Sequence, residues 1–439
     1  MKPATQRQES PHINPDFERT IQTSLMNTTQ PSISNPYPCL DARGGLCFEW
    51  SGGLQTSEII GETTRSLHPP QTFRARKSSV TIDSRLAEME RLIRRDPAQR
   101  GLIASEAARG PLCPGHLTAA ARHLAEHGRR VLLVTGFFIP GASPPAAETD
   151  GPPGTALLAA ALKQLGISIQ IATDEPCRTA VEVAAQEMGL APEEVCSIPS
   201  RHEEQEHWFA RLLATTSHQP PLTHLISLER VGPSHTSASI QTQLLGTIGS
   251  DWSTQHDFVR LVPPSDQDHC HNMRGECIDA HTAPLHRLFE LVASRDDIRT
   301  IGIGDGGNEI GMGSIPWQAL HRRLNGPHAA RVPCRIATDW TIVAGVSNWG
   351  GQALAAAVLA LTNKTHAARD WTANQQLQLL ERLVTVGPAV DGITRLREAT
   401  VDGLPFLTYI QPWEGLRRLM DFTESGNQQE LSHLYSPEA

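Results

Sequence analysis

Five short segments gather glycine beside carboxylate, amide and hydroxyl side chains: AETDGPPG at 147–154, SLERVG at 227–232, HNMRGECID at 271–279, GIGDGGNEIGMG at 302–313 and AGVSNWGG at 344–351. Glycine lets backbone approach a small ligand closely, and Asp and Glu supply proton acceptors, proton donors or oxygen ligands for a cation. An isolated Asp-Gly pair is most often a turn. The weight therefore rests on five such segments falling in comparable positions. The richest, at 302–313, carries Asp305, Asn308 and Glu309 within five residues.

These positions are set by the elements before them. VLLVTGF (131–137), ISIQIATD (167–174), THLISLER (223–230), RTIGIGDGG (299–307) and RIATDWTIVAG (335–345) read as short apolar runs. Between or after them lie helical stripes: Leu157, Leu158, Ala161, Leu162 and Leu165 closed by Gly166, then TAVEVAAQEMG and QALAAAVLAL. Unbroken apolar strands alternating with helices predict an α/β fold with a doubly wound, mostly parallel sheet covered by helices on both faces. Ligands bind such sheets beyond the carboxyl ends of the strands, where the five segments fall. RHEEQEHWFARLL is expected to be a solvated helix face, and Met312 to Leu324 a helix after the 302–313 loop.

Several function classes are excluded or weakened. Gly302, Gly304 and Gly307 formally satisfy G-x-G-x-x-G, yet no acidic residue lies between Glu309 and Asp339 to meet a ribose, and two carboxylates in the loop would repel a pyrophosphate. No nicotinamide or flavin is expected. His269, Cys270, His271 and Cys277 invite zinc, but their spacing matches no standard motif. Trp340 and Trp349 are equally suited to packing and to walling a small pocket. The net charge is −9, with 38 basic and 47 acidic residues and no basic run, which argues against nucleic acid and membrane surfaces. No apolar stretch reaches the roughly 18 to 20 residues of a membrane span, the first residues lack a secretory signal's apolar core, and eight dispersed cysteines suit a reducing, cytoplasmic compartment.

Residues 1–78 are rich in Ser, Thr, Pro, Asn and Gln and are expected to be a disordered tail. The folded domain is expected over 79–430, beginning at a helix capped by Asp83 or Ser84 with Leu86, Met89 and Ile93 on its apolar face. Residues 431–439 are expected to be a flexible end.

In this order, RRVLLVTGF (129–137), ETDGPPG (148–154), HNMRG (271–275), GIGDGGNEIGMG (302–313), AGVSNWGGQALAAAV (344–358) and VDGLPF (401–406) resemble the catalytic carboxy-terminal domain of the D-glutamate cyclase family, from about Asp83 to about Met420. The resemblance implies a carbon–oxygen lyase that closes D-glutamate into 5-oxo-D-proline and water. Its partner would be that small molecule, with self-association into a homo-oligomer left open and the mitochondrial matrix, as for animal relatives, the alternative location. A non-catalytic binder of D-glutamate or 5-oxoproline, or a hydrolase or racemase on another small amino acid, would be the competing readings.

Lactam closure needs the amine deprotonated and the γ-carboxyl to lose an oxygen, hence a base, an oxyanion stabiliser and a proton donor. Asp150 and Glu309 are the candidates for base and acid, with Asp305 beside them. Arg274 is the best clamp for the α-carboxylate, since its fork binds carboxylates bidentately. Asn272, Asn308 and Asn348 can donate to carboxylate oxygens. Glu148, Thr149, Gly151, Gly306, Gly307 and Ser347 complete the expected substrate surface. Asp305, Glu309 and Asp339 are the expected ligands if Mg²⁺ or Mn²⁺ is present.

Overall fold

The computed structural model describes residues 81–97, 102–214, 219–246 and 253–420. The expected tail and the expected flexible end lie outside the described residues. The first helix, α1 (Ile82–Ile93), starts two or three residues earlier than expected: Thr81, not Asp83 or Ser84, caps it by accepting the Ser84 N–H, and Leu86, Met89 and Ile93 are buried.

Six strands form one sheet: β1 (Arg130–Thr135), β2 (Ser168–Thr173), β3 (Val195–Ser197), β4 (Leu222–Leu228), β5 (Arg299–Gly304) and β6 (Trp340–Val343). Their spatial order is β3-β2-β1-β4-β5-β6, and every pairing is parallel. The edge strand β3 was not anticipated. Side chains alternate between the two faces as the pleat requires. Val131, Leu133, Ile226, Leu228, Ile301 and Ile303 join the larger core, and Leu132, Val134 and Leu225 join the other. Both faces are therefore covered, and the sheet is doubly wound.

The larger core is roofed by α1, α2 (His116–His127), α3 (Pro152–Gln164), α4 (Arg178–Glu187) and, further along, α7 (Ser347–Leu361), α8 (Ala373–Thr385) and α9 (Gln411–Leu419). On the opposite face lie α5 (His202–Leu213) and α6 (His286–Val292). The expected solvated helix is thus α5, which buries Gln205, Trp208, Phe209 and Leu212: its apolar positions recur at helical spacing among the charges. Met312–Leu324 is not one helix; only Trp317–His321 is helical, because Gly311 and Gly313 turn the chain against β5 and Arg335 first.

Connections from β1 and β2 pass over one face, and those from β4 and β5 over the other. The chain therefore leaves the neighbours β1 and β4 toward opposite faces, which opens a crevice between the loops that follow them. α7 runs beneath that crevice. Fourteen of its 15 residues are buried, as suits a helix that is apolar on every side from Ala353 to Leu361. Small residues let it press close: a Cβ on Gly154 at the start of α3 would sit 2.7 Å from the Asn348 Cα. Among the described residues, no helix is long and apolar enough to cross a membrane.

Candidate active site

Loops following β1, β4, β5 and β6 converge at the crevice. After β1 the chain makes a small antiparallel ribbon, pairing Phe138 with Ala147, and returns as Glu148-Thr149-Asp150-Gly151 into α3. The Asp150 Oδ1 accepts the N–H groups of Gly151 at 3.0 Å and Asn348 at 2.8 Å, and Oδ2 accepts that of Ser347 at 2.9 Å. Asn348 answers from α7: its Oδ1 accepts the N–H groups of Gly151 and Gly154, and its Nδ2 donates to the Thr149 carbonyl. Two helix amino-termini are thereby tied through one carboxylate and one amide, using N–H groups that have no partner within a helix.

Ser347 sits at the centre. Its N–H also reaches Asp305 Oδ2 at 3.2 Å, and its hydroxyl donates to Glu229 Oε2 at 2.5 Å. Asp150, Glu229 and Asp305 are all buried, with carboxylate oxygens within 4.8 Å of one another. Glu229 adopts φ +44°, a left-handed conformation costly for a residue with a Cβ and concentrated at functional sites. Burial raises its carboxyl well above the ordinary value, and Asp305, Glu309, Glu148 and Asp150 raise it further by like-charge repulsion. The adjacent Arg230 gives no relief, since it is paired with buried Asp174 at 2.7 Å and donates to the Gly136 and Ala283 carbonyls.

A small cavity of about 120 Å³ opens above Glu148, Glu229 and Asp305. It lies below the roughly 300–1,000 Å³ of drug-sized ligand sites. Phe137 and Ile139 form an apolar wall, Asn308 and Asn272 supply amides, and Arg274 and Arg395 stand at the rim. Arg274 donates to the Ile393 carbonyl and Arg395 to that of Gly141, both at 3.2 Å. Burial, then repulsion from Arg395, lowers the Arg274 guanidinium. Arg395, like Glu229, has positive φ, at +63°. Carboxylates on the floor and two guanidinium groups at the rim make a strongly polarised chamber.

Of the expected substrate and catalytic residues, Glu148, Asp305, Asn272, Arg274 and Asn308 line the cavity. Asp150, Gly151, Ser347 and Asn348 stand beneath it as a bonded layer. The Thr149 hydroxyl donates to the Thr400 carbonyl, away from the cavity. Asn272 closes its own turn by accepting the N–H groups of Arg274 and Glu276. Glu309 curls its own loop: Oε1 accepts from Asp305 and Gly306, and Oε2 from Gly307, which takes φ +99°.

The expected ligand set Asp305, Glu309 and Asp339 is not brought together. Asp339 precedes β6 at the amino edge of the sheet, where it accepts from the Thr300 N–H and hydroxyl and pairs with Arg299. Asp305 follows β5 at the other edge. At this crevice the three residues that could hold a cation are instead Asp150, Glu229 and Asp305. Neither Trp340 nor Trp349 walls the cavity; Trp340 packs against His123, and Trp349 donates to the Tyr409 carbonyl.

Glu229 was missed as an individual residue, although its segment stood out; it is the first polar residue after β4, and that position was its signal. Arg395 carried none.

Residues 89–241 and 260–417 match the family described as D-glutamate cyclase-like, C-terminal. The chain belongs to this family. It is also 27% identical over 394 residues to the human protein named "D-glutamate cyclase, mitochondrial", a match covering 84% of this chain and 57% of the human one. The chain thus spans little more than half the length of that relative. Every residue that lines the chamber, from Phe137 to Arg395, lies within the stretches matched to the D-glutamate cyclase-like family.

Proposed function

We propose that the chain is a D-glutamate cyclase, a hydro-lyase converting D-glutamate to 5-oxo-D-proline and water in the crevice between β1 and β4. The observation that carries this reading is the polarised chamber in a member of this family: buried carboxylates below and paired guanidinium groups at the rim.

The reaction moves two protons from the amine to the departing γ-oxygen while the N–C bond forms and the C–O bond breaks. Arg274 and Arg395 bind the α-carboxylate and hold the amine over the floor. Asp305 accepts the first proton from the amine, and Glu229, whose environment favours the protonated carboxyl, gives one to the leaving oxygen. Because these two carboxyl groups are neighbours, Asp305 then passes its proton to the same oxygen, completing water, and the second amine proton returns to Glu229, which restores the pair. Asn308 and Asn272 face the same cavity and can donate to the developing oxyanion.

Crowded carboxylates can be relieved by a proton on Glu229 or by a divalent cation shared among Asp150, Glu229 and Asp305. The donor set is all oxygen and buried, which suits Mg²⁺ or Mn²⁺. When bound, such an ion supplies charge neutralisation and polarisation of the γ-carboxyl group.

The test is incubation of the purified chain with D-glutamate and with L-glutamate, each with and without Mn²⁺, following loss of one water by mass. Consumption of D-glutamate much faster than L-glutamate is expected, because two clamped groups define the hand of the substrate. Binding without turnover would reduce the protein to a sensor, and equal rates would point to another reaction.

A further inference from the structure

The segments 269–272 and 276–279 pair through one antiparallel bridge into a short ribbon, and one set of its side chains is not used by the chamber. His271 bridges antiparallel to Cys277, the Ile278 N–H donates to the Cys270 carbonyl at 2.8 Å, and the Asn272 N–H donates to that of Glu276 at 3.0 Å. Side chains on such a ribbon alternate between its faces. Cys270 and Ile278 turn inward and join a small apolar cluster. His269, His271, Cys277 and Asp279 occupy the other set of positions. Spacing along the chain matches no standard zinc motif, in which ligands come in separated pairs. Folding the ribbon back supplies those pairs, with Asp279 taking the place of Cys270.

Donor atoms of His269, Cys277 and Asp279 lie within 4.8 Å of one another. Asp279 engages His269 directly, with Oδ2 2.5 Å from His269 Nδ1. Oδ1 accepts the Cys270 N–H at 2.7 Å, which fixes the carboxylate's orientation. His271 is a second, independent pointer. Its Nε2 lies 3.0 Å from the Asp266 carbonyl, which can only accept, so the ring proton belongs on Nε2 and the lone pair on Nδ1. That Nδ1 is buried with no hydrogen-bond partner, in a ring whose centroid is 6.3 Å from that of His269. An imidazole donating one N–H to a backbone carbonyl with its other nitrogen bare is set as a metal-binding histidine is set.

We propose that His269, Cys277 and Asp279 form a binding site for a zinc-class divalent transition-metal ion, which His271, outside their 4.8 Å group, joins as a fourth donor when the metal enters. Thiolate and imidazole select borderline-soft ions, whereas Mg²⁺ and Ca²⁺ require oxygen, so this site and the carboxylate group of the chamber differ in the metal they prefer. The turn of the ribbon carries Met273 and Arg274 to the cavity rim, so an ion here braces the arm that holds Arg274. Binding displaces the thiol proton of Cys277 and the proton shared by His269 and Asp279. Affinity therefore rises with pH, and protons are released as metal enters.

The test is titration of the full chain with Co²⁺ alone, read by thiolate-to-cobalt charge-transfer absorption, followed by Zn²⁺. A saturable band at one equivalent, bleached by Zn²⁺, is expected. The band should vanish in Cys277→Ser, which is exposed and accommodates the change, and binding should weaken about 10- to 100-fold in His269→Gln and His271→Gln. Asp305→Asn should leave it unchanged, separating this site from the chamber, and circular dichroism should show the same fold throughout. Absence of the band in the wild-type chain overturns the proposal. So does its survival in Cys277→Ser, or its full retention in both histidine variants.

Discussion

The two edges of the same sheet treat acidic residues in opposite ways. At the amino edge, partial burial raises the Asp339 carboxyl, but hydrogen bonds from Thr300 and the Arg299 ion pair outweigh it and hold the group below its usual range. At the carboxyl edge Glu229 is fully enclosed among Asp305, Glu309, Glu148 and Asp150 and is pushed the other way. One edge satisfies its charge and contributes to stability. The other keeps charge in conflict, which costs stability and poises a proton or a cation site. Position along a strand, not residue type, decides which treatment a carboxylate receives.

The largest effect should come from removing the conflict. Glu229→Gln retains the Ser347 contact and is expected to lower turnover of D-glutamate by about a hundredfold or more, following typical acid–base contributions. Its stability should behave oppositely. Because Glu229 binds its proton more tightly folded than unfolded, it costs stability as pH rises from the ordinary carboxyl value of 4.5 toward the raised folded value. The variant should therefore lose less stability than wild type over that rise, as read by denaturant unfolding at several pH values. A variant with wild-type turnover would remove Glu229 from the chemistry.

Next in size is the rim. Arg395→Ala and Arg274→Ala should each raise KM for D-glutamate by about tenfold or more, since a charge-assisted contact is worth roughly 1.5–3 kcal/mol. Unfolding midpoints should barely move. If KM is unchanged in both, the rim does not bind the substrate's carboxylate.

The amino edge predicts the reverse pattern. Asp339→Asn should leave turnover nearly intact and lower stability by about 1 kcal/mol through weakened bonds to Thr300 and Arg299. Its contribution is present above the unfolded carboxyl pKa and is lost as pH falls through the lowered folded value, so the difference from wild type should close in acid. Loss of activity with unchanged stability would break the division between the edges.

The last effect is confined to acid and concerns the same edge. His224, buried in β4 against His123, is pushed down to about 3, first by burial and then by repulsion from His123. Between the unfolded value of about 6.5 and 3 the unfolded chain binds the extra proton, so stability declines on acidification by up to about 1.4 kcal/mol per pH unit. His224→Gln should flatten that decline in unfolding measurements between pH 6.5 and 4. An unchanged slope would show that other groups govern it.

Sequence alone determined the alternation of buried strand and helix, the doubly wound class and the four post-strand loops that build the chamber, because these depend on local periodicity and on glycine beside polar residues. It also singled out Asp150, Asp305, Asn308, Arg274 and Ser347, each in a segment dense in glycine. Only tertiary structure decided which carboxylates share a cavity. Glu309 and Asp305 are four residues apart, yet three amides of their own loop claim Glu309 while Asp305 faces Glu229, which strand order places beside it. Asp339 also flanks β5, but at its far end, since parallel strands send their preceding and following residues to opposite edges. Arg395 had no local signal at all, and Cys277 was noted only among histidines at a spacing that matches no metal motif; one meets Arg274 across the rim and the other meets His269 across a ribbon, and such meetings arise from packing that a linear pattern does not record.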